Sequence, residues 1–198
     1  GPGFGGSCFK KDILNLVYIC KNNGLDEVAS YWQKVIDMNF WQQARISKII
    51  IENLFGTISD KKIAILGFAF KANTNDTRES PAIKVCKDLL EEGGKLQIYD
   101  PRVSKEMLNY EFNNTDKHKK INIEDQLDWK YCNTIEEAIY GTDAVLILTE
   151  WEEFKHINWQ ELSRSMRTPK WLFDTRCIAN INKAKSAGLN TWRLGGND

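Results

Sequence analysis

"KIAILGFAFKANTNDTRESPAIKVCKDLLEEGGKLQIYDP", residues 62–101, is the stretch that decides the fold. Its opening, Lys62 to Phe70, is a short and nearly continuous apolar run, the pattern of a strand buried on both faces. Ser80 then offers an N-cap, Pro81 suits the first helical position and Gly93 supplies a stop, which predicts a helix between them. "KLQIYDP" (95–101) returns to a strand pattern. Strand, helix and strand in this order predict two parallel strands joined by a helical crossover.

The same alternation continues toward the C-terminus. "NTIEEAIYGTDAVLILT" (133–149) reads as a short helix and a third strand. "INWQELSRSM" (157–166) is helical, "KWLFDTR" (170–176) a fourth strand, "INKAKSAGL" (181–189) a helix fragment and "NTWRLG" (190–195) a last strand. Residues 56–198 are therefore expected to form an α/β domain, a doubly wound, Rossmann-like parallel sheet. The segment from Ser104 to Tyr131, with "NNTDKHKK" at its centre, is expected to be a surface loop without chemistry.

Toward the N-terminus the period becomes helical. One helix is expected from Phe9 to Asn22, stopped by "NNG" (22–24). A second, from Asp26 to about Leu54, contains neither proline nor glycine and would span about 40 Å at 1.5 Å per residue. Residues 1–55 thus form a loop and long central helices ahead of the sheet domain. Aromatic residues in "YWQKVIDMNFW" (31–41) leave two readings: burial within one larger domain, or an arm shared with a second copy.

Composition narrows the classes. The 198 residues are 42% hydrophobic, enough for one core and an appendage. Lysine plus arginine, at 27, equals aspartate plus glutamate, at 27, so no net field recruits nucleic acid or an anionic membrane. The 5 cysteines are odd in number and lack CxxC spacing, which argues against a disulfide framework or a zinc site and for a reducing, cytoplasmic setting. No segment has the apolar length of a membrane span. The chain starts without methionine and inside a motif, so it is expected to be a fragment, with Gly1 and Pro2 either part of it or left by a cleaved tag.

Two regions carry candidate chemistry. In "GPGFGGSCFKKD" (1–12), Cys8 follows a glycine-rich loop and sits at a helix N-terminus, where free amides, the helix dipole, Lys10 and Lys11 favour a thiolate. Lys11 and Asp12 share its helix face. Cys8 is either a nucleophile or an incidental thiol. In doubly wound sheets ligands bind beyond the carboxyl ends of the strands. Lys71 and Arg78 lie between the first strand and the following helix, and Arg176 ends the fourth strand. They are either a phosphate pocket or ordinary surface charge. Asp100, at the end of the second strand, fits a ribose contact or an Asp-Pro turn.

"GFGGSCFKKD", "VIDMN", "ILGFAFKANTNDTRES" and "FDTR", in this order, resemble the UDP-glucose 6-dehydrogenase family of nucleotide-sugar dehydrogenases, over nearly the whole chain. The resemblance implies the C-terminal part of an NAD-dependent enzyme that binds UDP-glucose. It makes Cys8 the nucleophile and gives Asp12 a part in water activation or proton transfer. Gly3, Phe4, Gly5, Phe9, Lys71 and Arg176 would contact the UDP-sugar. Arg78, Lys11 and Cys8 would approach NAD. Apart from the resemblance, the apolar surface of the long helix predicts a homodimer or higher homo-oligomer, and the scattered cysteines predict no metal. Oxidising a primary alcohol to an acid takes two oxidation steps, and a thiol that captures the aldehyde between them as a thiohemiacetal, then a thioester, prevents its escape. The family's N-terminal GxGxxG domain and its upstream lysine and asparagine are absent from this stretch, so the chain alone is expected to be inactive. Relatives that oxidise GDP-mannose or UDP-N-acetyl sugars share the cysteine logic, and "GGSCF" with "DTRES" favours UDP-glucose. A second class remains: a nucleotide-binding dimerisation module in which Cys8 is inert.

Overall fold

A computed structural model of the chain describes residues 1–113 and 128–196. Helices α1 (Phe9–Asn22) and α2 (Asp26–Asn53) come first. Strands β1 (Lys62–Leu66), β2 (Lys95–Tyr99), β3 (Trp129–Tyr131), β4 (Ala144–Ile147), β5 (Trp171–Asp174) and β6 (Asn190–Arg193) follow, with α3 (Pro81–Glu91), α4 (Lys105–Asn113), α5 (Ile135–Ile139), α6 (Trp159–Leu162) and α7 (Ile181–Ser186) between them.

The strands form one parallel sheet in the order β3-β2-β1-β4-β5-β6. One row across it pairs Tyr131, Ile98, Ile65, Leu146, Phe173 and Trp192 in register. This is the strand order of dinucleotide-binding folds, and it reverses between β1 and β4. The doubly wound expectation therefore holds, and the switch point falls beyond Leu66 and Ile147. Ile63, Ala64, Ile65 and Leu66 are all fully buried, as a two-sided strand requires.

The strand is shorter than its apolar run suggested. Gly67 turns the chain with φ 90, and a Cβ there would come within 2.4 Å of the Thr149 side chain. Phe68 and Ala69 stay buried but belong to the turn. Ser80 caps α3 as expected, accepting from Ala82 N at 3.2 Å while its hydroxyl donates to Phe68 O at 2.7 Å. The cap thereby ties the helix start to the end of β1.

The loop expected from Ser104 to Tyr131 is corrected at both ends. Lys105–Asn113 is helical and Trp129–Tyr131 is an edge strand. Leu108 and Trp129 are buried, and Phe112 lies 5.1 Å from Trp129, ring to ring, so apolar packing orders both ends. The centre of that expected loop, residues 114–127, lies outside the described residues.

Helix α2 is shared between two clusters. Its second half sends Ile46 and Ile50, followed by the C-cap Leu54, into the core of the sheet. Ala29 and Ile36, from its first half, pack with Ile13, Val17 and Cys20 of α1 in a separate, smaller cluster. Tyr31, Met38 and Trp41 of α2, and Tyr18 of α1, are all more than half exposed.

Candidate active site

The glycine-rich N-terminal segment lies between α2 and the loop that joins β1 to α3. Asn39 of α2 clasps it from one side, accepting from Phe4 N at 2.8 Å and donating to Phe4 O at 3.1 Å. Gln42 donates to Gly1 O at 3.2 Å. From the other side, Gly6 N donates to Arg78 O at 2.9 Å. Gly5 passes so close that a Cβ would sit 2.4 Å from Glu79 O, which explains why no larger residue stands there. Lys10 closes the contact with a 2.8 Å ion pair to Glu79.

Cys8 emerges from this clamp as the N-cap of α1, exposed, with Ser7 Oγ 3.8 Å from its Sγ. Its side chain caps nothing, so the thiol is left for other work. Phe9 is exposed and meets Phe4 edge-to-face at 4.6 Å. Lys11 and Asp12 are also exposed and form no side-chain hydrogen bond or ion pair among the described residues. The first turn of α1 thus presents a thiol, an ammonium and a carboxylate to whatever covers it.

Phe70 joins this loop to the strand ends. Its side chain packs where Gly5 and Gly6 lack one, its ring lies 5.4 Å beneath Lys71 Nζ, and its carbonyl accepts from Arg176 Nη2 at 3.2 Å. Arg176 also donates through Nε to Leu148 O at 2.7 Å. Buried Asp174 aims it: Oδ1 accepts from Arg176 N at 3.0 Å and Oδ2 from Ala179 N at 2.9 Å. The guanidinium therefore lies across the carboxyl ends of β4 and β1, at the switch point. Burial pushes its pKa down, opposed by the Glu150 carboxylate.

Arg78 is differently placed. It is exposed and paired in two-pronged fashion with Asp76, Nε to Oδ1 at 2.9 Å and Nη2 to Oδ2 at 2.7 Å. The pair raises the pKa of Arg78, to which a Cys8 thiolate contributes a smaller share, and lowers that of Asp76. A cavity of about 670 Å³ opens beside it, between Thr74 to Arg78 and the α4 residues Glu106, Met107, Tyr110 and Glu111.

Asp100 is a structural tie. One oxygen accepts from Phe68 N, Ala69 N and Trp151 Nε1 at 2.7, 3.0 and 3.1 Å, and the other from Arg102 N and Val103 N at 2.9 and 3.1 Å. Its oxygens are filled by the chain itself, which favours the turn reading over a ribose contact. Asn39, Phe70, Glu79 and Glu150 are the site residues that sequence reasoning missed. Asn39 lies inside "VIDMN" and Phe70 and Glu79 inside "ILGFAFKANTNDTRES", whereas Glu150 lies in none of the quoted motifs.

Residues 64–181 match the model of the UDP-glucose/GDP-mannose dehydrogenase family, UDP binding domain, and residues 1–41 match the central domain of that family. The chain belongs to the UDP-glucose/GDP-mannose dehydrogenase family. Within it, the chain is 47% identical over 196 residues to a UDP-glucose 6-dehydrogenase of Drosophila melanogaster, covering 98% of this chain and 40% of that protein. It is 44% identical over 204 residues to UDP-glucose 6-dehydrogenase 4 of Arabidopsis thaliana, covering 98% and 42%. A solved UDP-glucose dehydrogenase from the archaeon Pyrobaculum islandicum shares the fold, with TM-score 0.69 and 24% identity over 98% of this chain and 38% of that one. The chain thus spans about 40% of the length of the curated relatives it matches.

Proposed function

We propose that this chain is the sugar-nucleotide half of an NAD-dependent UDP-glucose 6-dehydrogenase, corresponding to the C-terminal part of that enzyme. The observation that carries the reading is the docking of the Cys8 loop on the β1–α3 loop, through Gly6 N to Arg78 O and the close passage of Gly5, beside an arginine fixed at the switch point. One ligand can then bridge them, with its diphosphate toward Arg176 and Lys71 and its sugar toward Cys8. The 47% identity to a UDP-glucose 6-dehydrogenase favours glucose over the GDP-mannose and UDP-N-acetyl-sugar alternatives.

In this reading the chain's residues divide the work. Arg176 and Lys71 hold the diphosphate, and the backbone of Gly3, Phe4 and Gly5 lines the sugar path. Cys8 Sγ adds to the aldehyde carbon as a thiohemiacetal, and loss of a hydride from that carbon and of the hydroxyl proton makes it a thioester. Water then attacks the thioester carbon, the acid leaves and the thiol regains its proton, with Asp12 in reach of the same helix turn to move that proton. NAD, when bound, supplies the oxidising equivalent for each of the two oxidations. Exposed Arg78, electrostatically coupled to Cys8, is fit to meet the cofactor's pyrophosphate, and Lys11 stands one turn along α1.

The two parts, 1–55 and 56–198, are then a cysteine-bearing dimerisation unit and a nucleotide domain. A second copy of the chain covers the exposed apolar residues of α1 and α2, where Tyr18, Tyr31, Met38 and Trp41 are 65%, 67%, 61% and 57% exposed. Sedimentation at twice the chain mass is expected, and a stable monomer at tens of micromolar would remove the pairing. The five free thiols suit a reducing cytosol.

Cys8→Ala in the full-length enzyme tests the catalytic reading. It should abolish acid formation and leave UDP-glucose affinity within about twofold, since the thiol acts on the intermediate. Normal turnover by that variant would sink the assignment.

A further inference from the structure

Main-chain groups fix Arg176. Leu148 O and Phe70 O accept from Nε and Nη2, and the turn at Asp174 sets the backbone. Nη1 is the guanidinium nitrogen without a carbonyl partner, and Glu150 stands on it, Oε2 to Nη1 at 3.1 Å. That contact is of another kind. Glu150 Oε2 is buried and accepts no hydrogen bond, so it is held by charge alone, while Oε1 takes only a 3.4 Å bond from Ala72 N. The arginine side chain is 15% exposed and that of Glu150 36%, so the pair stands at the edge of the site with the contacting oxygen covered. A carboxylate here is unexpected, because Nη1 is the atom a ligand phosphate would need.

We propose that Glu150 is the resident counter-ion of the nucleotide site, balancing the charge of Arg176 and weakening the hold on the ligand's diphosphate without setting the arginine's position. The inference rests on the UDP-sugar reading given above. A buried guanidinium without a partner is costly, and Glu150 meets that cost while no phosphate is present. When a diphosphate arrives it takes over Nη1, and the carboxylate that remains nearby repels it. The proposed product carries one more negative charge than UDP-glucose, so this repulsion acts more strongly on product than on substrate and favours release.

The test is calorimetric titration of UDP into the full-length enzyme and its Glu150→Gln, Arg176→Gln and doubly substituted forms. Glutamine keeps the shape and the Ala72 contact but removes the charge. Glu150→Gln should bind UDP about tenfold more tightly, and its binding should weaken more steeply with added salt than the wild type's. In the Arg176→Gln background the same change should alter affinity by less than about twofold, because the charge it relieves acts on the arginine's phosphate contact. Weaker or unchanged binding by Glu150→Gln, with the wild type binding UDP, would overturn the counter-ion assignment. No UDP binding by the wild type would overturn the nucleotide-site reading itself.

Discussion

The two ends of the site are built in opposite ways. At the proposed nucleotide end, Arg176 is 15% exposed at its side chain and fixed by two carbonyls, of Phe70 and Leu148, in the segments that follow β1 and β4. At the proposed reaction end, Cys8, Phe9, Lys11 and Asp12 are exposed, and apart from the Phe4 ring against Phe9 what holds them is main-chain contact around Gly5 and Gly6. The difference teaches a division of labour. A sheet's carboxyl edge can preorganise a charge over a ligand, whereas a thiol proposed to add to that ligand's sugar has to stay uncovered.

Breaking the clamp should have the largest effect. Gly5→Ala drives a Cβ to within 2.4 Å of Glu79 O, so the loop must shift. Turnover should fall about a hundredfold or more, given that small misplacements of reacting groups cost this much, while UDP affinity stays within a few fold. Equal losses of UDP affinity and turnover would show that the two ends are not separable.

The nucleotide end can be graded by burial. Arg176→Ala should weaken UDP binding by about 1.5–3 kcal/mol, the range for a charge-assisted bond made out of water. Lys71→Ala, at an exposed position, should cost about 0.2–1 kcal/mol. Calorimetry that ranked Lys71 above Arg176 would reverse the account of which cation anchors the diphosphate.

The smallest effect lies at Asp76. Arg78 holds its carboxyl below the ordinary value, so the pair stabilises the loop fully above the unfolded carboxylate range, near about pH 4, and that stability is lost as the pH falls through the lower folded value. The excess in thermal midpoint of the wild type over Asp76→Asn should therefore shrink between neutral pH and about pH 3. A constant excess would place the pair outside the folding linkage.

Much of this was readable in the sequence where function follows from local pattern. The run at Ile63 to Leu66, the Ser80-Pro81 start and the unbroken span of α2 are local signals, and Cys8 and Arg176 stand at positions that helix and strand ends make special. Strand β3 escaped because three residues carry too little period, and α4 because Leu108 is its one buried residue. Phe70 and Glu150 escaped for a different reason. Phe70 meets Arg176 across 106 positions, and Glu150 meets Ala72 across 78, so neither role exists until the sheet has closed. Asp100 held two meanings in sequence, and only its five donors in the folded chain chose between them.

The decisive step is that the sugar carbon stays on Cys8 through the second oxidation, until water releases it. Mass spectrometry of the Cys8 peptide after acid quenching of the full-length enzyme, during a single turnover with UDP-glucose and NAD, addresses it directly. The account predicts a transient glucuronyl adduct on Cys8, gained and lost on the way to the acid. A Cys8 that stays unmodified throughout a turnover that yields the acid would contradict it.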